Sequence, residues 1–183
     1  MIKNVKAHCD IPCKVYDPYI AQYAALSVIR LQDLIAEVDP KTNSKDDIAK
    51  ISRLVSQKEE HAHKVKEEIA TIWGDYFKQT QIEKFPNIHE LAHSIMMASS
   101  KCKQELSREN GVELLSKVNE FAKIFWESKD INTKIITSSN LPHMDIVVPS
   151  DTWKCLIFLK LLVSVCFLNI GQMNMLLLLR QET

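Results

Sequence analysis

The chain has 183 residues, 46% of them hydrophobic, which is enough for one packed domain followed by a tail. Its 23 basic and 23 acidic residues balance, so net charge gives no argument for nucleic acid or for an anionic membrane surface as a partner. The five cysteines form an odd, scattered set that is not typical of a secreted disulfide framework and that favours a cytoplasmic location.

The amino-terminal segment combines a short leader with a run of metal donors. Residues 1–7 are too short and too poor in apolar side chains for a secretory signal, so we predict a leader peptide. Residues 8–18, HCDIPCKVYDP, place a histidine, two cysteines and a proline within six positions. Because thiolate and imidazole donors suit transition metals, we predict a metal-binding hook over residues 8–18.

Cleavage between Ala7 and His8 would define the chemistry of this hook. The new α-amine of His8 and the amide nitrogen and thiolate of Cys9 would be joined by two fused five-membered chelate rings, which favour a planar arrangement. The thiolate of Cys13 can supply the fourth donor. A planar set of two nitrogens and two sulfurs suits Ni(II) or Cu(II), whereas Zn(II) prefers a tetrahedron.

The hook resembles the mature amino terminus of the nickel-containing superoxide dismutases, His-Cys-Asp-x-Pro-Cys-x-Val-Tyr-Asp-Pro, and matches each of its fixed positions. Two later blocks are also similar to that family, namely residues 72–86, IWGDYFKQTQIEKFP, and residues 123–129, KIFWESK. The resemblance implies an antioxidant oxidoreductase with one nickel per chain, cycling between Ni(II) and Ni(III), that converts superoxide into O2 and H2O2. It also implies a propeptide removed by a protease and a homohexamer with the hooks between neighbouring subunits.

The resemblance implies roles for five residues of the hook. The amine and ring of His8, the amide nitrogen and thiolate of Cys9 and the thiolate of Cys13 would hold the metal, with the His8 ring binding only the oxidised ion. Pro12, after a cis bond, would fold the chain back, although an ordinary turn proline is the alternative. Asp10 would accept hydrogen bonds that fix the hook, and a solvated turn acid is its alternative.

Other candidates lie around the implied metal face. Tyr16 would cover this face, and Tyr76 is the candidate for a second tyrosine beside it, although isolated tyrosines more often serve packing. Lys14 and Lys78 would draw in the superoxide anion unless they are merely solvated.

One departure from the family concerns the support of the hook histidine. In some members a Glu on the first helix and an Arg on the second hold its ring. Here these positions are Ala24 and His61, so the support is either different or supplied by His61.

After the hook, four amphipathic helices separated by short connections predict an all-α fold, an up-down-up-down four-helix bundle over residues 19–130. Asp17 and Pro18 can start the first helix, and Ser44 or Asp46 can cap the second. Residues 107–111 interrupt the pattern before the fourth.

Each of the four predicted helices has a stripe of residues that should face the core. Only Lys58 is an unusual residue for such a position. The stripes, in the order of the helices, are Ile20, Ala24, Ser27, Leu31, Leu34 and Val38; Ile48, Ile51, Val55, Lys58, Ala62, Val65, Ile69, Ile72 and Tyr76; Ile88, Leu91, Ile95, Ala98 and Cys102; and Val112, Leu115, Val118, Ala122 and Phe125.

The sequence is also compatible with two alternative functions. His89-Glu90-Leu91-Ala92-His93 fits the HExxH pattern of zinc hydrolases, with Glu113 as a candidate third ligand, but no strand-like segment precedes it to hold a peptide. A nickel or copper carrier without turnover would use the hook itself.

The carboxyl-terminal part has no counterpart in the family pattern. Residues 131–152 predict an extended linker, and residues 153–183 an apolar tail of unknown role. Residues 161–179 carry no charge and approach the length of a membrane helix, although three amide side chains weaken that interpretation. Three alternatives are open for this tail: a membrane anchor, an interfacial helix, or a segment added by an irregular gene end.

Overall fold

A computed structural model of the chain describes residues 15–39 and 44–150. This part contains five α-helices, which confirms the mostly helical class: α1 (Tyr19–Ala36), α2 (Lys45–Thr71), α3 (Gln79–Lys84), α4 (Ile88–Gln104) and α5 (Arg108–Glu127). A π-helical turn, Ile72–Tyr76, follows α2, and two strands, β1 (Thr133–Thr137) and β2 (Asp145–Pro149), follow α5. The chain divides into two compact units, Met1–Val148 and Pro149–Thr183, and the packing below is that of the first.

The four long helices surround one apolar core. α1 packs against α2 and α5, and α4 packs against the same two helices. The predicted stripe of α4 is confirmed, because all five of its members are buried. The predicted stripe of α2 is buried at Lys58, Ala62, Val65 and Ile69, whereas Ile48 near its start is 56% exposed. Ser44 caps α2 as predicted, since its Oγ accepts from the amide nitrogen of Asp47 at 3.0 Å.

The predicted inner stripe of α1 is confirmed at Ala24, which is fully buried, but is wrong at most other positions. Ile20 is 42% exposed, and Leu31 and Leu34 are only partly buried. The residues that α1 buries are Ala21, Gln22, Ala24, Ala25, Leu26, Val28, Ile29 and Gln32. The three alanines of this face allow neighbouring helices to approach closely, and the two glutamine amides form hydrogen bonds there.

The start of α5 also differs from the prediction. Residues 107–111 were expected to interrupt the helical pattern, but α5 begins at Arg108 and includes Gly111. A Cβ atom at Gly111 would collide with the side chains of Gln32 and Ile29 on α1. Gln32 Nε2 also donates to the carbonyl oxygen of Ser107 at 2.7 Å. The glycine therefore serves close helix packing and does not end a helix.

Lys58 holds α2 and α4 together. Its side chain is fully buried, and its Nζ donates to the carbonyl oxygens of Cys102, Lys103 and Glu105 at 2.5, 2.9 and 3.0 Å. These carbonyls lie at the carboxyl end of α4, where backbone oxygens lack helical partners and carry the negative end of the helix dipole. Burial lowers the pKa of Lys58, which is the cost of placing an ammonium group there.

Residues 133–149 form a β-hairpin that the sequence pattern did not predict. β1 and β2 pair with each other, and the hairpin is fastened to the helices by two amide side chains. Gln22 of α1 donates to the carbonyl oxygen of Val147 at 2.9 Å, and Asn119 of α5 donates to that of Asp145 at 2.8 Å. The expected linker thus includes an ordered element on the α1–α5 face.

The described part of the chain contains no helix with the length and apolarity needed to cross a membrane. Residues 151–183, which include the predicted apolar tail, lie outside the described residues. The alternatives for this tail therefore stay predictions.

Replacing Lys58 by Met should lower the free energy of unfolding by about 2–4 kcal/mol, because three interior carbonyl groups lose their donor. Lys64→Met, on the exposed side of α2, is the matched control and should cost less than about 0.5 kcal/mol. Urea unfolding followed by far-UV circular dichroism measures both values. Equal stabilities of the two variants would contradict the structural role of the buried ammonium group.

Candidate metal centre

Most of the predicted metal site lies at the amino end of the chain, before the first described residue. Six candidates therefore lie outside the described residues, and their roles stay predictions: His8, Cys9, Asp10, Pro12, Cys13 and Lys14. The described chain enters α1 through Tyr16 and Asp17. The cap residue of α1 is Pro18 and not Asp17 as predicted. Asp17 Oδ1 nevertheless accepts from the amide nitrogen of Tyr19 at 2.8 Å, which ties the end of the hook to the first residue of the helix.

Tyr16 and Tyr76, both predicted for the metal face, are neighbours. Their ring centroids are 6.4 Å apart and their planes are inclined by 58°. Tyr16 precedes α1, whereas Tyr76 ends the π-helical turn, a rare backbone form that often occurs at functional sites. Lys78, the other described candidate, is exposed, and its Nζ donates to the carbonyl oxygen of Gly74 at 3.0 Å within the same segment.

The Tyr76 phenol is held by α5. Its hydroxyl lies 2.7 Å from Ser128 Oγ, which itself donates to the carbonyl oxygen of Phe125 at 2.7 Å. A serine hydroxyl has one proton, so the Tyr76 hydroxyl is the donor to Ser128. The Phe125 ring also packs against the phenol, with centroids 4.9 Å apart. Both the position of the ring and the direction of its hydrogen bond are therefore fixed.

Lys129 is a further residue at this site that sequence reasoning did not single out. Its Nζ lies 4.2 Å from the centroid of the Phe125 ring, 5.1 Å from that of Tyr76 and 5.6 Å from that of Trp126. Burial lowers the pKa of Lys129, and the carboxylate of Asp17 partly opposes this shift. The residue belongs to the last of the family-like blocks, but its spacing carries no signal for the ring cluster.

Of the two positions at which the family support for the hook histidine is missing, only His61 has a polar side chain. Ala24 is fully buried in the core. His61 Nδ1 lies 2.9 Å from the carbonyl oxygen of Gln57, so Nδ1 carries the proton and Nε2 is the acceptor nitrogen. The ring lines a cavity of about 350 Å³ between α1, α2 and the hairpin loop, together with Arg30 and Leu141.

The HExxH motif on α4 has a different role from the one that a zinc hydrolase requires. His89 Nδ1 accepts a hydrogen bond from Trp73 Nε1 at 2.9 Å, and the two rings meet edge to face. Within residues 15–39 and 44–150, no three His, Cys, Asp or Glu side chains are grouped closely enough to hold a metal ion. His89 thus fastens α4 to the π-helical turn, and the hydrolase hypothesis lacks a described metal site.

About two thirds of the sequence matches a known family. The family model described as nickel-containing superoxide dismutase matches residues 3–129. The nickel superoxide dismutase of Streptomyces coelicolor is 36% identical over 126 residues, which cover 69% of this chain and 91% of that protein. That of Streptomyces seoulensis is 35% identical over 126 residues, again covering 69% of this chain and 91% of the relative.

Solved structures are similar over the same part of the chain. The native nickel superoxide dismutase structure has a TM-score of 0.58 at 34% identity, covering 67% of this chain and 99% of that chain. A structure with the nickel ligation of the oxidised state has a TM-score of 0.60 at 34% identity, with coverages of 67% and 99%. The family match ends at residue 129, before the hairpin.

Replacing Tyr76 by Phe should lower the free energy of unfolding by about 1 kcal/mol, because the hydroxyl pair with Ser128 is lost while the ring packing remains. The control is Tyr19→Phe, at an exposed position, with a change below about 0.5 kcal/mol. A double-mutant cycle with Ser128→Ala, measured by urea unfolding, should give a coupling energy of about 0.5–1.5 kcal/mol. Strict additivity would show that the two hydroxyls do not interact.

Proposed function

Since this chain belongs to the nickel-containing superoxide dismutase family, we propose that it converts superoxide into O2 and H2O2 at a nickel ion held by His8, Cys9 and Cys13. The observation that carries this function is the family match over residues 3–129, which includes the complete set of hook donors. Each turnover of two superoxide anions consumes two protons.

The donors of the hook fit nickel on chemical grounds. An amine, an amide nitrogen and two thiolates form the planar set that Ni(II) accepts. When bound, nickel supplies the Ni(II)/Ni(III) couple that oxidises one superoxide anion and reduces another. The thiolates of Cys9 and Cys13 and the amide nitrogen of Cys9 donate strongly enough to bring such a couple within reach of superoxide, and the His8 ring would support the oxidised ion.

The two tyrosines would control access to the hook. The neighbouring rings of Tyr16 and Tyr76 would narrow the space beside it, which would favour small anions over larger ones. Because the Tyr76 proton is directed at Ser128, the oxygen of this phenol would act as a hydrogen-bond acceptor toward water. Ordered water beside the hook would then supply protons for the reduction of superoxide to H2O2.

We extend the proposal to the architecture and assembly of the family. Residues 19–130 would form the up-down-up-down four-helix bundle, which the mutual contacts of the four long helices support. Subunits would assemble as a hexamer with the hooks between neighbours, and the exposed apolar side chains of Tyr19, Ile20 and Tyr23 in the first turns of α1 support such a contact. A protease would remove residues 1–7, and the enzyme would work in the cytoplasm.

Replacing Cys9 or Cys13 by Ser should abolish nickel retention and lower dismutase activity by about two orders of magnitude or more, because the set loses a thiolate. Cys102→Ala, which changes a buried cysteine of α4, is the matched control and should retain both. His93→Ala should also retain both. Metal analysis and stopped-flow superoxide decay measure the two properties. A chain that retains nickel without dismuting superoxide would instead be a carrier.

A chain that keeps residues 1–7 should lack dismutase activity even with nickel present, because its His8 nitrogen is an amide and cannot serve as an amine ligand. The same chain released with His8 as its first residue, for example from a cleavable fusion, should become active. Amino-terminal sequencing combined with the activity assay makes the comparison. Full activity of the uncut chain would exclude the proposed ligand set.

A further inference from the structure

We propose that Lys129 supplies the positive charge that draws the superoxide anion to the tyrosine-lined end of the helices; this role rests on the proposed dismutase function. The Lys129 ammonium lies 5.1 Å from the centroid of the Tyr76 ring, and that ring is the neighbour of Tyr16. The cation therefore stands beside the pair of phenols through which an anion would approach the hook.

The short chain between Cys13 and Tyr16 limits the distance from the phenols to the predicted metal ligands. Tyr16 is three positions beyond Cys13, so their Cα atoms are at most roughly 11 Å apart in any conformation. The Debye length at physiological ionic strength is about 8 Å, so the field of a cation at the Tyr76 ring is weakened but not abolished over a distance of this order.

Lys129 differs from nearby lysines because it forms no ion pair with a carboxylate of the described residues. Lys123 forms an ion pair with Glu127 at 3.8 Å, and Lys84 forms one with Asp130 at 3.2 Å. Among the described residues, Lys129 has no carboxylate within ion-pair distance, and Asp17 is the acid that acts on it electrostatically. Much of its charge is thus available to an incoming anion.

The surroundings of Lys129 also strengthen its field. Three ring faces replace part of the water around the ammonium, and their negative faces offset the lost hydration. A charge in a partly desolvated place acts through a lower effective dielectric constant than one in water. Lys78, which the sequence favours for the same task, is exposed and therefore screened more strongly.

The ionic-strength dependence of kcat/KM tests the proposal in the nickel-loaded enzyme. Lys129→Gln should lower kcat/KM by about two- to fivefold at low salt and flatten its decline with added salt. Lys129→Arg should restore both, because it keeps the charge. Lys123→Gln, which removes a paired lysine from the last turns of α5, should behave like the unchanged enzyme. An unchanged salt dependence in Lys129→Gln would overturn the proposal.

Fluorescence quenching provides a readout that needs no nickel. In a chain carrying Trp73→Phe and Trp153→Phe, the remaining indole of Trp126 lies 5.6 Å from the Lys129 ammonium. Lys129→Gln should reduce quenching by iodide, a monoanion, by about twofold, while quenching by neutral acrylamide stays the same. Equal iodide quenching, or a parallel change with acrylamide, would show that Lys129 only supports the ring packing.

These two measurements separate the proposal from the function on which it rests. If the unchanged, nickel-loaded enzyme does not dismute superoxide, the proposed function fails. A loss of iodide quenching in the same protein would still establish the anion-attracting field of Lys129.

Discussion

The contact between the rings of Tyr16 and Tyr76 joins the amino-terminal segment to the helices, and the described part of the candidate site is built around it. Tyr76 is the last residue of the π-helical turn that follows α2. Its position is then fixed from α5, by the hydroxyl of Ser128 and the ring of Phe125. The π-helical turn and the end of α5 thus place the Tyr76 phenol beside Tyr16, close to the carboxyl end of the predicted hook.

The fold could be predicted from sequence where burial is achieved by large apolar side chains. α4 is such a case, because regularly spaced apolar residues make up most of its inner face. α1 is the opposite case, since three alanines and two glutamines share its inner face with three larger apolar side chains, which makes the spacing pattern harder to read. The hydrogen-bond partners of Lys58 and the hairpin escaped prediction for a related reason: the groups that they bind come from distant parts of the sequence.

The candidate site also contains residues that the sequence predicts and residues that it does not. The donors of the hook are readable because they lie within a few consecutive residues and because their chemistry is specific to a few metals. Lys129 could not be identified from the sequence in this way. Its surroundings exist only after Tyr76, Phe125 and Trp126 have been brought together in space. A lysine at the end of a helix is otherwise an ordinary solvated residue.

The hairpin has a consequence for how subunits can meet. The side-chain amides of Gln22 and Asn119 donate hydrogen bonds to backbone carbonyl oxygens of β2. The strand therefore covers the side of α1 and α5 from which these side chains project. A neighbouring subunit cannot occupy the same surface.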